Sequence, residues 1–295
     1  MQGTVDGFSY GLVTPLVAYF MACLGGALGL RCTTRSMLVA HSWRAGWLAL
    51  GSVAIASGIW TMHFIAMMGF AVEETPVHYD KPTTFASLGV AIVMVGIGIF
   101  IVGYRGATGT ALFTGGTITG LGVASMHYLG MAGMRLNGKL EYNTLTVSAS
   151  VVIGVVAATA ALWAAGQVRG FLWSVGASLV MGLAVSGMHY VGMAALSVHL
   201  HGTSNNPGGE SAAALLAPMM IGPLVFLCLA GVVVMFDPLM VMGKPDWTPT
   251  DRKPGIPAHP AAPHPGRRPS PRPGQDRPGP GRDRGRRSSR TPQSW

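Results

Sequence analysis

Met126-His127-Tyr128-Leu129-Gly130-Met131 lies inside a hydrophobic stretch, and the same pattern occurs once before it and once after it. The other copies are Met62-His63-Phe64-Ile65-Ala66-Met67 and Met188-His189-Tyr190-Val191-Gly192-Met193. The histidines are 64 and then 62 residues apart, and each has a Met one residue before it and four after it. That spacing matches two membrane-crossing helices with their loops, so the three marked segments run in the same direction. Three imidazoles at similar depth, each with thioether neighbours, form a candidate site.

The composition sets the environment of that site. Hydrophobic residues make up 49% of the chain and charged residues only 11%, against about a quarter charged in soluble domains. Long apolar stretches run over residues 12–30, 46–70, 84–104, 110–134, 145–166, 171–198 and 212–236. Each is long enough to cross about 30 Å of hydrocarbon as a helix. A soluble helical protein would need Lys, Glu and Asp on outward faces, and these stretches lack them. The fourth starts with Thr114-Gly115-Gly116-Thr117, which membrane helices tolerate because small faces admit close neighbours. The first has no basic flank and no cleavage site, and reads as a retained helix rather than a signal peptide. The expected fold is all-α: a polytopic membrane protein of seven transmembrane helices, one leading helix followed by three two-helix repeats, over residues 8–240.

The net charge of +9 divides unevenly. Residues 244–295 hold 12 Lys/Arg and 4 Asp, net +8, which leaves a body of 8 Lys/Arg and 7 Asp/Glu, net +1. The tail is rich in Pro, Arg and Gly without apolar periodicity, so it is expected to be disordered. Its arginines suit anionic lipid head groups, and no aromatic interleaving supports a nucleic-acid platform. His259 and His264 in this tail read as incidental. Cys23, Cys32 and Cys228 form no CxxC and read as structural or incidental. Arg31, Arg35, Arg44, Arg105 and Arg169 fall beside the odd-numbered loops, whereas Glu73, Glu74, Asp80 and Glu210 fall in even ones. Arg135 and Lys139 are the exception. Positive loops stay in the cytoplasm, which predicts an outside N-terminus, a cytoplasmic tail and histidines in the outer half of the membrane.

Residues four apart share a helix face, which pairs His63 with Met67, His127 with Met131 and His189 with Met193. Met62, Met126 and Met188 sit about 100° round from their histidines at 3.6 residues per turn. Three residues after each His comes a small residue, Ala66, Gly130 or Gly192, where a neighbouring helix can approach. An imidazole in hydrocarbon needs partners, and intramembrane ionisable groups mark functional sites by default. Imidazole with thioether is a soft donor set that favours copper. Other readings stay open: methionines as core filler, histidines bonded to Thr61, Ser125 or Ser186, or a haem held by His and Met. Phe64, Tyr128 and Tyr190 supply aromatic mass beside each His.

The triple motif resembles the MHYT family of bacterial integral membrane sensors over about residues 8–240. The resemblance implies a copper ion held by Met62, His63, Met67, Met126, His127, Met131, Met188, His189 and Met193. It also implies sensing of a diatomic gas (oxygen, carbon monoxide or nitric oxide); a redox signal is the other input expected of such a site, and the bacterial inner membrane the expected location. No copy has the family's Thr, since Ile65, Leu129 and Val191 stand there, and Phe64 replaces Tyr in the first copy. Many relatives continue into cyclic-di-GMP or kinase output domains, whereas here the motifs are followed by the basic tail. The signal would therefore pass to a separate effector. No nucleotide loop or catalytic grouping occurs, and no enzyme is expected. A membrane copper-transfer protein is the alternative function.

Overall fold

The computed structural model describes residues 5–6, 10–72, 77–167, 171–200 and 212–237. The tail assigned to 244–295 lies outside them. Among the described residues there are seven long helices: α1 (Val13–Ser36), α2 (His41–Met68), α3 (Lys81–Arg105), α4 (Gly109–Ala132), α5 (Thr144–Gln167), α6 (Phe171–Ala194) and α7 (Ala212–Met235). Polar residues fix several of their ends. Asp80 accepts from the Thr83 backbone N–H at 3.0 Å and starts α3. Its carboxyl is held below the ordinary carboxylate range by the Thr83 hydroxyl and N–H. Asn143 accepts from the Leu145 and Thr146 N–H groups at the start of α5. Gly106, at φ 76°, ends α3 where a side chain would be strained.

Apolar side chains occupy both faces of these helices. On α3, Ala91, Val95 and Ile99 are buried while Val93 and Ile97 are exposed, and on α6 Val185 is buried while Val180 and Leu183 are exposed. A helix apolar all round belongs in hydrocarbon. By length and composition α1, α2, α3, α5, α6 and α7 can each cross a membrane. Together they make an all-α, multi-pass membrane bundle. The Gly/Thr-rich α4 is as long as α1 but is not among these six. Its small residues set it close to both neighbours. A Cβ on Gly116 would lie 2.0 Å from Thr159 Oγ1, one on Gly120 2.4 Å from Val155 Cα, and one on Gly122 2.2 Å from Met94 Cβ.

The expected repeat of one leading helix plus three pairs is not confirmed, and the ribbons join the helices in another grouping. Each of the pairs α1–α2, α3–α4 and α5–α6 is clamped at one end by a short antiparallel ribbon. The ribbons are β1 (Val5–Asp6) with β2 (Ala71–Val72), β3 (His78–Tyr79) with β4 (Met134–Arg135), and β5 (Gly138–Tyr142) with β6 (Leu196–Leu200). The strand before the first helix of a pair bonds to the strand after its second. The unit is thus strand–helix–helix–strand, and α7 follows as the extra helix. Neighbouring helices pack around a ring that α1 closes against α6, with α7 against α1 and α2.

Two boundaries change with it. The sixth stretch, read as helix to residue 198, ends at Ala194 and turns into β6. Pairing with β5 satisfies backbone groups at the bundle end that a longer helix would have satisfied internally. Arg31 and Arg35, placed in the first loop by the sequence, belong to the last turns of α1. There Arg35 Nε donates to the Asp237 carboxylate beyond α7, both side chains mostly buried, with the guanidinium 5.4 Å from the Trp47 ring.

Trp60 ties α2 to α3. It is fully buried, and its Nε1–H donates to Ser87 Oγ at 3.0 Å and Thr84 O at 3.2 Å. Trp60→Phe keeps most of the ring and removes this donor, so it should cost about 1–2 kcal/mol. A thermal unfolding midpoint in detergent indistinguishable from wild type would refute that role for the indole.

Candidate metal centre

The three motif histidines come from α2, α4 and α6. Each stands five residues before the end of its helix: His63 before Met68, His127 before Ala132 and His189 before Ala194. At 1.5 Å per residue this places all three about 7–8 Å below the ribbon end.

The imidazoles converge. Nδ1 of His63 is 3.0 Å from Nδ1 of His189 and 3.1 Å from that of His127, and the third side measures 3.3 Å. All three residues are buried to 1–2% exposure, out of reach of bulk water. The rings stand nearly perpendicular to one another, with centroids 4.9 to 5.1 Å apart.

Small residues make this approach possible. A Cβ on Gly130 would lie 2.7 Å from His63 Nε2, and one on Gly192 2.5 Å from His127 Nε2. Each glycine sits one turn beyond the histidine of its own helix and seats the ring of another. The sequence expectation for small residues at these positions is met at Gly130 and Gly192. Nε2 of His63 and His127 accordingly rest against helix backbone and make no hydrogen bond.

The triangle poses a problem that protons alone do not solve. A neutral imidazole nitrogen is either a donor or an acceptor. Around three mutually close nitrogens these roles cannot alternate. At least one side then sets lone pair against lone pair, or hydrogen against hydrogen. A cation at the centre gives every Nδ1 lone pair a partner at once. Three nitrogens bound at 2.0–2.1 Å with tetrahedral angles are themselves about 3.3–3.4 Å apart, close to the spacing observed. The residues therefore fit a small metal ion: this is a buried tris-histidine cluster able to coordinate one.

The alternative hydrogen bonds read from the sequence are not made. Ser125 is exposed, and the buried hydroxyls of Thr61 and Ser186 have no hydrogen-bond partner. The methionines are placed in the same continuous core: Met62, Met67, Met126, Met131 and Met188 are each about 1% exposed, and Met193 packs against that core. The aromatic residue after each histidine meets its ring edge-on, at 4.6 Å for Phe64, 4.8 Å for Tyr128 and 5.0 Å for Tyr190. Tyr128 also shares a 2.6 Å hydrogen bond with Ser150 on α5.

Two supporting residues were not singled out from the sequence. Trp60 packs on Phe64 at 4.7 Å, and Tyr79 of β3 meets Phe64 at 6.2 Å. Burial of Tyr79 raises its phenol above the ordinary range. Trp60 lies three residues before His63 and thus near its helix face, a signal that was available; Tyr79 joins through the ribbon, and nothing in its local sequence announces that.

Residues 57–115 and 120–178 match the MHYT family, described as a bacterial signalling protein N-terminal repeat. These segments contain His63 and His127. The chain is 35% identical over 192 residues to the bifunctional diguanylate cyclase/cyclic di-GMP phosphodiesterase MucR of Pseudomonas aeruginosa, covering 63% of this chain and 28% of that protein. An uncharacterized signaling protein of Caulobacter vibrioides is 36% identical over 155 residues, 52% of this chain and 19% of its own length. The cyclic di-GMP phosphodiesterase NbdA of Pseudomonas aeruginosa is 31% identical over 207 residues, 66% of this chain and 26% of its own. The chain thus spans about a quarter of the length of these relatives. No solved structure matches. The MHYT domain itself is a non-catalytic sensor module. Residues 57–115 and 120–178 of this bundle are repeats of the MHYT family of bacterial signalling proteins.

Proposed function

We propose that this bundle is a membrane sensor whose three imidazoles hold copper and whose signal is a diatomic gas or a change of redox state. The observation that carries the reading is the closed Nδ1 triangle, 3.0–3.3 Å on a side, buried in an apolar core. Copper is favoured by the soft surroundings: five nearly inaccessible motif thioethers share that core, and thioether with imidazole suits copper above hard ions. Met62, Met67, Met126, Met131, Met188 and Met193 are the proposed further ligands. When bound, copper would supply an open position for oxygen, carbon monoxide or nitric oxide. A haem fits poorly, because its axial ligands stand on opposite faces of a macrocycle and these nitrogens nearly touch.

In this reading α4 is the seventh span, the N-terminus is outside, and the protein sits in the bacterial inner membrane with the histidines in its outer half. The single layer of imidazoles supports a static site over a conduit for copper transfer, which needs ligands at several depths. The signal would bias helix packing if the ligand binds two arrangements unequally. The recipient would be a separate effector that makes or degrades cyclic di-GMP, in keeping with the named activities of the relatives. The basic tail would contact anionic lipid.

Protein purified in detergent should retain about one equivalent of copper, and His127→Ala should release it, since two imidazoles cannot replace three. His63→Ala and His189→Ala should behave alike. Elemental analysis decides this: unchanged metal in all three variants ends the copper assignment. If copper binds but carbon monoxide and nitric oxide leave its spectrum unaltered, gas sensing fails while a copper site stands.

A further inference from the structure

A cavity of about 40 Å³ lies on the bundle axis next to the imidazoles, on the side away from the ribbons. Its relation to the site is regular. Ile59, Val123 and Val185 line it, and each stands four residues before one of the three histidines. A second tier is made by Ile55, Thr119 and Met181, each eight residues before the same histidines. Residues four apart share a helix face. The three faces that bring the imidazoles together therefore continue downward as the walls of the void, whose ceiling is one turn, about 6 Å, beneath the rings.

The void is too apolar for water. A buried water needs two to four polar partners and about 10–15 Å³. The size is sufficient here but the partners are not. Among the lining hydroxyls, Thr33 Oγ1 is already committed to Gly29 O at 2.9 Å, which leaves Thr119 Oγ1. Apolar cavities of this kind stay dry and admit small uncharged molecules such as xenon. The far wall is made of small residues of α5, Ala157 and Ala158 among them, where larger side chains would have closed the space.

We infer that this chamber is a second binding site, which holds an uncharged diatomic molecule one helical turn below the histidine triangle. It rests on the gas-sensing reading for the identity of its natural occupant, though not for its existence. A gas dissolved in lipid has no charge or hydrogen bonds to lose on entering. The chamber then concentrates it beside the ion and screens out water and anions.

The test uses xenon alone, on metal-free full-length protein in detergent, followed by xenon NMR. Wild type should give a saturable shift of the xenon signal. Val123→Phe, which fills the ceiling from α4, should reduce that binding at least tenfold. Ala158→Leu, which fills it from α5 and leaves the sequence of the histidine helices unchanged, should do the same and serves if the first variant misfolds. Copper content of whichever filled variant folds should equal that of wild type. Absence of saturable xenon binding in wild type, or binding undiminished in a folded filled variant, overturns the chamber. Xenon binding without any copper binding would leave the chamber in place and remove the sensor reading instead.

Discussion

Gly192→Ala should lower copper affinity by about a hundredfold, the upper end for residues that orient metal-bound imidazoles. The added methyl would meet His127 Nε2 at 2.5 Å and Cδ2 at 3.0 Å. The ring must swing away, but its Nδ1 is held 3.1 and 3.3 Å from its two partners. Any rotation that relieves the methyl opens the triangle. Helix propensity acts in the opposite direction, since Ala is favoured over Gly by about 1 kcal/mol within a helix. A loss of copper therefore cannot be assigned to a weaker α6. Competition with a copper chelator, alongside circular dichroism, measures both quantities. Affinity within twofold of wild type would show that the close seat does not set the ring position. Gly130→Ala should act on His63 in the same way, through a 2.7 Å contact.

Gly58→Leu should strongly destabilise the bundle. A Cβ at Gly58 would lie 2.6 Å from Gly25 Cα and 3.0 Å from Met21 O, and one at Gly25 would lie 2.7 Å from Gly58 Cα. The backbones of α1 and α2 touch here, so no flexible side chain can yield. The helices must separate, and the packing that holds them is lost, because small-residue contacts drive association in lipid. A cost of about 3 kcal/mol or more follows from overpacking at an unyielding contact. Because His63 lies five residues further along α2, displacement also misplaces one corner of the site. Thermal unfolding in detergent should show a much lower midpoint. A midpoint equal to wild type would contradict the backbone contact.

Much of this architecture was legible in the chain. The apolar stretches over 84–104 and 145–166 correspond to helices Lys81–Arg105 and Thr144–Gln167, because nothing within them competes with helix. The convergence of His63, His127 and His189 was readable from an even number of spans between copies and a small residue one turn beyond each. The pairing of helices was not. It depends on Val5 bonding to Val72 and on Leu140 facing Val198, contacts between residues far apart in sequence whose local patterns are short. The end of α6 was misread for the same reason: Leu196-Ser197-Val198 continues the apolar run, and only the β5 partner makes it a strand. The Arg35–Asp237 ion pair spans 202 residues and has no local signature. The dry chamber was invisible because it is defined by atoms missing between helices.

The order in which the corners of the triangle are synthesised has a consequence for biogenesis. His63 and His127 leave the ribosome 126 and 62 residues ahead of His189. Until α6 has entered the bilayer, the growing chain offers two facing nitrogens and an open wall. The three-nitrogen seat exists only once α6 has joined α2 and α4, so a metal ion held there would mark assembly as far as α6, ahead of α7. A transcript truncated before residue 171 encodes a protein that cannot form it.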